Sequence, residues 1–271
     1  MTATLRKAAA FIRRDFQIES SYKFNFVMGV IDSMVILVFF YFVDKLVAKG
    51  GSQDLARYGG HYLSFVLIGL AFARYFQLTL KMFSESIRQA QVTGCLEAML
   101  SSRTDALTIV LMSSLYGLLS GAVQLVIILA AGALFEGVDL SQMNVLATTV
   151  VFLVSVLSFV AFGVLSAAAI LWLKKGDPFA WVLSGLGTML GGAYFPITVL
   201  PAWLQTVAQF IPITHSLHAL RLTMLKGASL EAVWQPLLIL ALMSAVLLPT
   251  SLVVFAALVR KGRREGTLTQ Y

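Results

Sequence analysis

Two opposite charges stand inside apolar runs where charge is costly: Asp32 within Asn25–Val43 and Arg74 within Tyr62–Phe83. Ionisable residues at membrane depth mark a pathway, a proton relay or a pair that orients two helices. If the first run goes outward from Asn25 and the second inward from Tyr62, Asp32 lies seven residues from one inner end and Arg74 nine from the other. At about 1.5 Å per residue their depths then differ by about 3 Å, so a direct pair between neighbouring helices is expected. The alternative is that one of them faces a translocation cavity and meets a polar or anionic head group. Other chemistry is sparse. His215 and His218 are one turn apart and His61 is distant, with no carboxylate or cysteine beside them in sequence, so no metal centre is expected. Cys95 is the single cysteine and permits no internal disulfide. No G-x-x-x-x-G-K-[ST] phosphate loop occurs, and no nucleophile elbow accompanies the serines.

The elements that must carry these residues follow from composition. Of the 271 residues 59% are hydrophobic and 12% charged. A soluble domain is about 45–50% apolar and about 25% charged, so a globule in water could not cover this much apolar surface. A spanning helix needs about 20 mostly apolar residues. Six candidates meet or approach that length: Asn25–Val43, Tyr62–Phe83, Ala106–Leu134, Val145–Leu173, Phe179–Tyr194 and Gln235–Val259. Alternating apolar and polar strands are absent, which removes a β-barrel. After the fifth run Pro196, Pro201 and Pro212 forbid one straight helix. Residues 195–212 are therefore expected to form a broken re-entrant segment, covered by protein or lining a wet cavity. The expected fold is an all-α polytopic membrane protein with six transmembrane helices, forming a single domain over residues 1–271.

Charge sets the expected orientation. Six spans put both termini on one side, and fourteen Lys and Arg fall there, from Arg6 and Lys7 to Arg263 and Arg264. Five fall opposite: Lys45, Lys49, Arg57, Arg221 and Lys226. The positive-inside rule makes both termini cytoplasmic and accounts for the net charge of +7 without nucleic acid. Residues 1–23 are basic rather than apolar and do not read as a cleavable signal. Leu5, Ala9, Ile12 and Phe16 fall within about 60° on a helical wheel, giving an amphipathic helix expected to lie at the cytoplasmic membrane surface among lipid headgroups.

Three further features are positional. Between the second and third spans, Val92, Leu96, Met99 and Leu100 recur at helical spacing while Glu85, Arg88 and Glu97 face elsewhere, so a short surface helix is expected over residues 84–101. Gly117 and Gly121, and Gly187 and Gly191, are G-x-x-x-G pairs that permit close helix contact, within the chain or at a dimer seam. Aromatics such as Phe39, Tyr194, Phe195 and Trp203 cluster at span ends as interfacial belts.

The run Ile87-Arg88-Gln89-Ala90-Gln91-Val92-Thr93-Gly94-Cys95-Leu96-Glu97-Ala98-Met99-Leu100 resembles the cytoplasmic loop of ABC-2 type transporter permeases, with Cys95 in place of the usual Thr. Ser101-Ser102-Arg103-Thr104 lacks the proline that often follows there. Tyr194-Phe195-Pro196 through Leu200-Pro201-Ala202-Trp203-Leu204 and Ile211-Pro212-Ile213-Thr214, with the later Arg221, is similar to the family's second pattern. The resemblance implies the permease half of an exporter in a plasma (bacterial inner) membrane, paired with a second copy or a related chain. It implies two cytoplasmic ATPase subunits that bind ATP and Mg, leaving this chain without cofactor or catalytic residues of its own. Glu85, Arg88, Gly94, Leu96, Glu97 and Leu100 would couple to those ATPases. Phe195, Pro196, Pro201, Trp203 and Pro212 would belong to the outer pathway. Lipid-linked glycans, lipids and drug-like amphiphiles are the cargo classes it suggests. An ion-coupled secondary transporter or channel built on Asp32 and Arg74 is the main alternative; it calls for more midplane polarity and an internal repeat, neither of which is seen.

Overall fold

The structure, a computed structural model, is described over residues 2–20, 23–47, 61–92, 94, 106–134, 138–173 and 178–265. In chain order the helices are α1 (Thr2–Ser20), α2 (Lys23–Val47), α3 (Tyr62–Val92), α4 (Ala106–Gly132), α5 (Val145–Leu173) and α6 (Pro178–Leu190). A 3-10 turn (Ile197–Val199) then precedes α7 (Ala202–Ala208), α8 (Pro212–Leu225) and α9 (Trp234–Glu265). No strand occurs among the described residues. Five helices are long and apolar enough to cross a membrane: α2, α3, α4, α5 and α9.

The expected fifth span differs. Phe179–Tyr194 is α6, which stops at Leu190 after 13 residues. That is about 20 Å, short of a hydrocarbon core of about 30 Å. Gly192, at a φ of 79°, turns the chain out of the helix. The three prolines then act as initiators. Pro196 and Pro201 stand just before the 3-10 turn and α7, and Pro212 is in the first turn of α8. A proline there removes only an N–H that has no helical partner. The expected break over residues 195–212 is thus a 3-10 turn and a short helix, and α8 resumes where α6 stopped. A Cβ added to Gly191 would lie 2.5 Å from Ile213 Cγ2. The other end of α8 meets the start of α5, where the Asn144 N–H donates to the Thr223 carbonyl at 2.9 Å. Thr148 and Thr223 hydroxyls also meet there, at 3.1 Å. In series, α6 and α8 run the length that α5 covers alone.

α3 is the centre of the bundle. Its apolar stretch is 83% buried by the rest of the chain, against 11% for α2. Phe65, Phe72, Phe76 and Phe83 are fully buried along it, and Phe76 meets Phe159 of α5 edge-on with ring centres 4.8 Å apart. Lipid is as apolar as leucine, so membrane helices associate through close packing and polar contacts. Both occur. Gly117 and Gly121 of α4 seat Met82 and Leu78, and Gly187 of α6 seats Phe76. Both G-x-x-x-G pairs are therefore used within the chain, and the small-residue face of α6 is turned inward. Gln77 Nε2 donates to Thr188 Oγ1 at 2.7 Å between α3 and α6, and the Ser158 and Ser244 hydroxyls meet at 2.6 Å between α5 and α9.

Two peripheral elements are placed as well. α1 packs along α4, with Phe16 edge-on to Tyr116 at 6.3 Å. The surface helix expected over residues 84–101 does not begin at Ser84, because Ser84–Val92 forms the last turns of α3. No Gly or Pro breaks that stretch before Gly94, which takes a φ of 69°. Leu96, Glu97 and Leu100 lie outside the described residues.

Candidate functional site

Asp32 and Arg74 do meet. Arg74 Nη1 donates to Asp32 Oδ2 at 2.7 Å, joining α2 to α3. A third helix contributes a group that the sequence does not single out. Gln124 of α4 is buried, and Gly29 leaves it room: a Cβ there would lie 2.5 Å from Gln124 Nε2 and 3.1 Å from Arg74 Nη2. The ion pair thus joins α2 to α3, and Gln124 of α4 packs against Gly29 of α2 beside it. The pair is not sealed. The Asp32 side chain is 61% exposed and that of Arg74 32%, on a face of α2 that also exposes Met28, Ile31, Val35 and Phe39.

A charge-swap test separates pairing from mere polarity. Asp32→Asn or Arg74→Gln alone is expected to lower stability by about 1–2 kcal/mol, below the 3–5 kcal/mol of a fully buried pair because this pair is only partly covered by protein. The swap D32R/R74D is expected to recover most of the loss. Melting of the purified proteins in detergent, read as a double-mutant cycle, checks it.

At the end of the bundle where α3 and α5 begin, hereafter the far end, the broken segment is held by one cation. Arg221 of α8 is 3% exposed, although its sequence position suggests an exterior loop charge. Its Nε and Nη2 donate to the Phe65 carbonyl at 3.2 and 3.1 Å, and Nη2 also reaches the Ala193 carbonyl at 3.1 Å. The guanidinium lies 3.3 Å over the Phe65 ring. This fork ties the end of α6 to the start of α3. Gly69 makes the approach possible, because a Cβ there would stand 1.9 Å from the Ala193 carbonyl oxygen.

Beside this clamp is a cavity of about 240 Å³, lined by the 3-10 turn, α7 and one face of α8. Of the expected pathway residues, Pro196 lines it, while Pro201 and Pro212 shape its walls by starting α7 and α8. Phe195 is half-buried beside it, and Trp203 is exposed on the outer side of α7. Gln209 and Thr214 also line the cavity and are not singled out by the sequence. Their signal is weak: isolated polar residues in an apolar segment.

At the opposite end, Glu85 and Arg88 are exposed on the last turns of α3, with Arg88 Nη1 3.8 Å from Glu85 Oε2. No group of three or more His, Cys, Asp or Glu is placed to hold a metal among the described residues. The geometry thus offers an exposed polar end, an intramembrane ion pair open to one side, and a far-end cavity made by broken helices. Among curated proteins, none matches this sequence. The family model described as ABC-2 type transporter matches residues 6–225, which runs from α1 through α8. The chain belongs to the ABC-2 type transporter family, as a multi-pass membrane permease of an ABC transporter.

Proposed function

We propose that this permease exports an amphiphilic compound across a bacterial inner membrane, powered by ATP that separate ATPase subunits bind with Mg and hydrolyse. The family match over residues 6–225 carries this reading. Two cytoplasmic ATPases serve a pair of permeases, either two copies or this chain with a close relative. They dock at the end of α3, using Glu85 and Arg88 and the following Gly94, Leu96, Glu97 and Leu100. Both termini are cytoplasmic, α6 and α8 in series make the fifth of six crossings, and the far end faces outward. The basic residues support that orientation.

The open side of the Asp32–Arg74 pair supports a paired assembly. A half-exposed ion pair facing lipid tails is costly. A second permease, or a wet pathway between two of them, relieves that cost. Phe195, Pro196, Pro201, Trp203 and Pro212 then belong to the outer end of that pathway. Co-expression of the tagged chain with an ABC ATPase encoded beside it tests the assembly. Recovery of one complex with two permeases and two ATPases is expected. A chain that purifies alone and moves solute under an ion gradient would contradict it.

A further inference from the structure

Most of α3 is covered by the bundle, and the line that it leaves open is polar where lipid would call for apolar residues. Arg74 and Gln77 are half-buried on it, and Lys81, Glu85 and Arg88 are exposed. At 100° per residue these five fall within about 80° of one another, so they form one stripe. No large apolar residue of α3 before Val92 is exposed. Other spanning helices behave in the opposite way. α4 opens Leu119, Val123 and Val126, and α9 opens Leu238, Leu242 and Val246. Those faces suit hydrocarbon tails. A stripe of arginine, glutamine and lysine does not, because lipid tails offer it no hydrogen bonds.

Contacts on both sides fix where the stripe opens. On one border Leu78 and Met82 are seated on Gly121 and Gly117 of α4. On the other, Gln77 is bonded to Thr188 of α6. The stripe therefore opens between α4 and α6, and α2 reaches it at Arg74 through Asp32. From Arg74 to Glu85 the helix rises about 16 Å, which is half of a hydrocarbon core of about 30 Å. One end of the stripe joins the exposed last turns of α3 at Glu85 and Arg88. The other end stops at the ion pair. One turn beyond Arg74 the same line carries Leu70, so its polarity ends there.

We propose that water enters from the end where α3 finishes, follows Glu85, Lys81 and Gln77 to mid-membrane depth, and stops at the Asp32–Arg74 pair. The stripe is then the inner half of the export route, and the ion pair is its closed end. This deepens the export reading and rests on it, since it assigns Arg74, Gln77 and Lys81 to the route between the cytoplasm and the far end.

Thiol labelling tests the water. Cys95 is the single cysteine, so Cys95→Ser gives a background without thiols. Gln77→Cys, Lys81→Cys and Leu70→Cys probe the stripe, and Leu119→Cys on the open face of α4 is the lipid-facing control. Leu119 lies between Gly117 and Gly121, which meet Met82 and Leu78, so it shares the depth of Gln77 and Lys81. Membrane-impermeant sulfonatoethyl methanethiosulfonate is added to inside-out membrane vesicles that carry the permease–ATPase complex. Only a thiolate reacts, and a thiol in apolar surroundings stays protonated, so the rate reads access to water.

Gln77→Cys and Lys81→Cys are expected to react at least tenfold faster than Leu119→Cys, and Leu70→Cys no faster than that control. Adding Asp32→Asn to the Leu70→Cys chain is expected to raise its rate about tenfold by opening the closed end. Rates at Gln77 and Lys81 equal to the control would overturn the wet stripe. A fast Leu70 rate in the parent background, or one that Asp32→Asn leaves unchanged, would overturn the ion pair as its end. ATP with vanadate is expected to slow labelling at Gln77 and Lys81 at least tenfold. Unchanged rates in a complex that hydrolyses ATP would overturn the stripe's place in the export route. Gln77→Cys gives up the bond to Thr188, so melting of each variant is followed, and exposed Lys81 carries the test if that variant does not fold. Retention of the ATPase subunits is scored separately, so failure of the stripe and failure of the export reading are distinguishable.

Discussion

Arg221→Ala is expected to leave little folded permease. The change removes three charge-assisted hydrogen bonds, two to Phe65 and one to Ala193, and opens a cavity over the Phe65 ring. Hydrogen bonds to a charged group are worth about 1.5–3 kcal/mol each, and a buried acceptor left without a donor adds its desolvation cost. The carbonyl of Phe65 retains its helix, whereas that of Ala193 stands past the end of α6. A loss of about 3 kcal/mol or more is expected, against a total stability of about 5–15 kcal/mol. Arg221→Lys should recover little, because one ammonium cannot reproduce a planar fork that spans two carbonyls and stacks on a ring. Melting of detergent-purified protein, together with the yield of monodisperse material, measures both variants. A lysine variant as stable as the parent would show that charge alone, rather than the fork, holds α6 to α3.

Gly69→Leu is expected to be nearly as severe by the opposite mechanism. The obstacle is the Ala193 backbone, whose carbonyl oxygen would stand 1.9 Å from an added Cβ, with Arg221 Nη2 at 2.6 Å. A flexible side chain could move aside, but a carbonyl that is itself bonded to Arg221 cannot move without breaking the clamp. Overpacking costs typically about 1–3 kcal/mol, and this case belongs at the upper end because backbone must shift. Gly69→Ala should already show most of the effect, since the first added carbon makes the collision. Gly185→Ala is the control on α6, where an added Cβ meets nothing within 4 Å. It should melt like the parent, and thermal melting of the three variants side by side checks the series.

Much of this arrangement is legible in the sequence, and the places where the sequence misleads have physical causes. Long apolar runs mark α2 to α5 and α9 because a bilayer leaves helices little alternative. Depth counting pairs Asp32 with Arg74, since two helices joined by one outer loop meet at similar depth. The prolines mark the break correctly, yet their second role as helix initiators is hidden behind the first. Residues 212–225 fall between the expected spans and are given no element by the sequence, although Ile213, Leu217, Leu220 and Met224 keep helical spacing after Pro212. Arg221 therefore counts as an exterior charge in the sequence when it is a buried clamp in the fold. Near Ser84 the error runs the other way. Charged residues beyond Phe83 look like a new surface helix, but the same periodicity describes a spanning helix emerging from the membrane, and it runs on to Val92 just before Gly94. Gln124 and Thr214 carry no pattern, because their roles arise from contacts between elements distant in sequence.

ATP hydrolysis by the reconstituted complex tests most directly whether α3 and the loop after it couple this permease to its ATPases. The wild-type chain and variants lacking Gly94–Leu100 or carrying Glu97→Ala are compared in lipid nanodiscs with the same ATPase subunits. Hydrolysis that depends on the permease, and falls to the level of the ATPases alone when the loop is altered, is the predicted result. Hydrolysis indifferent to the permease and to both alterations would contradict the account and return attention to Asp32 and Arg74 as the seat of an ion-driven mechanism.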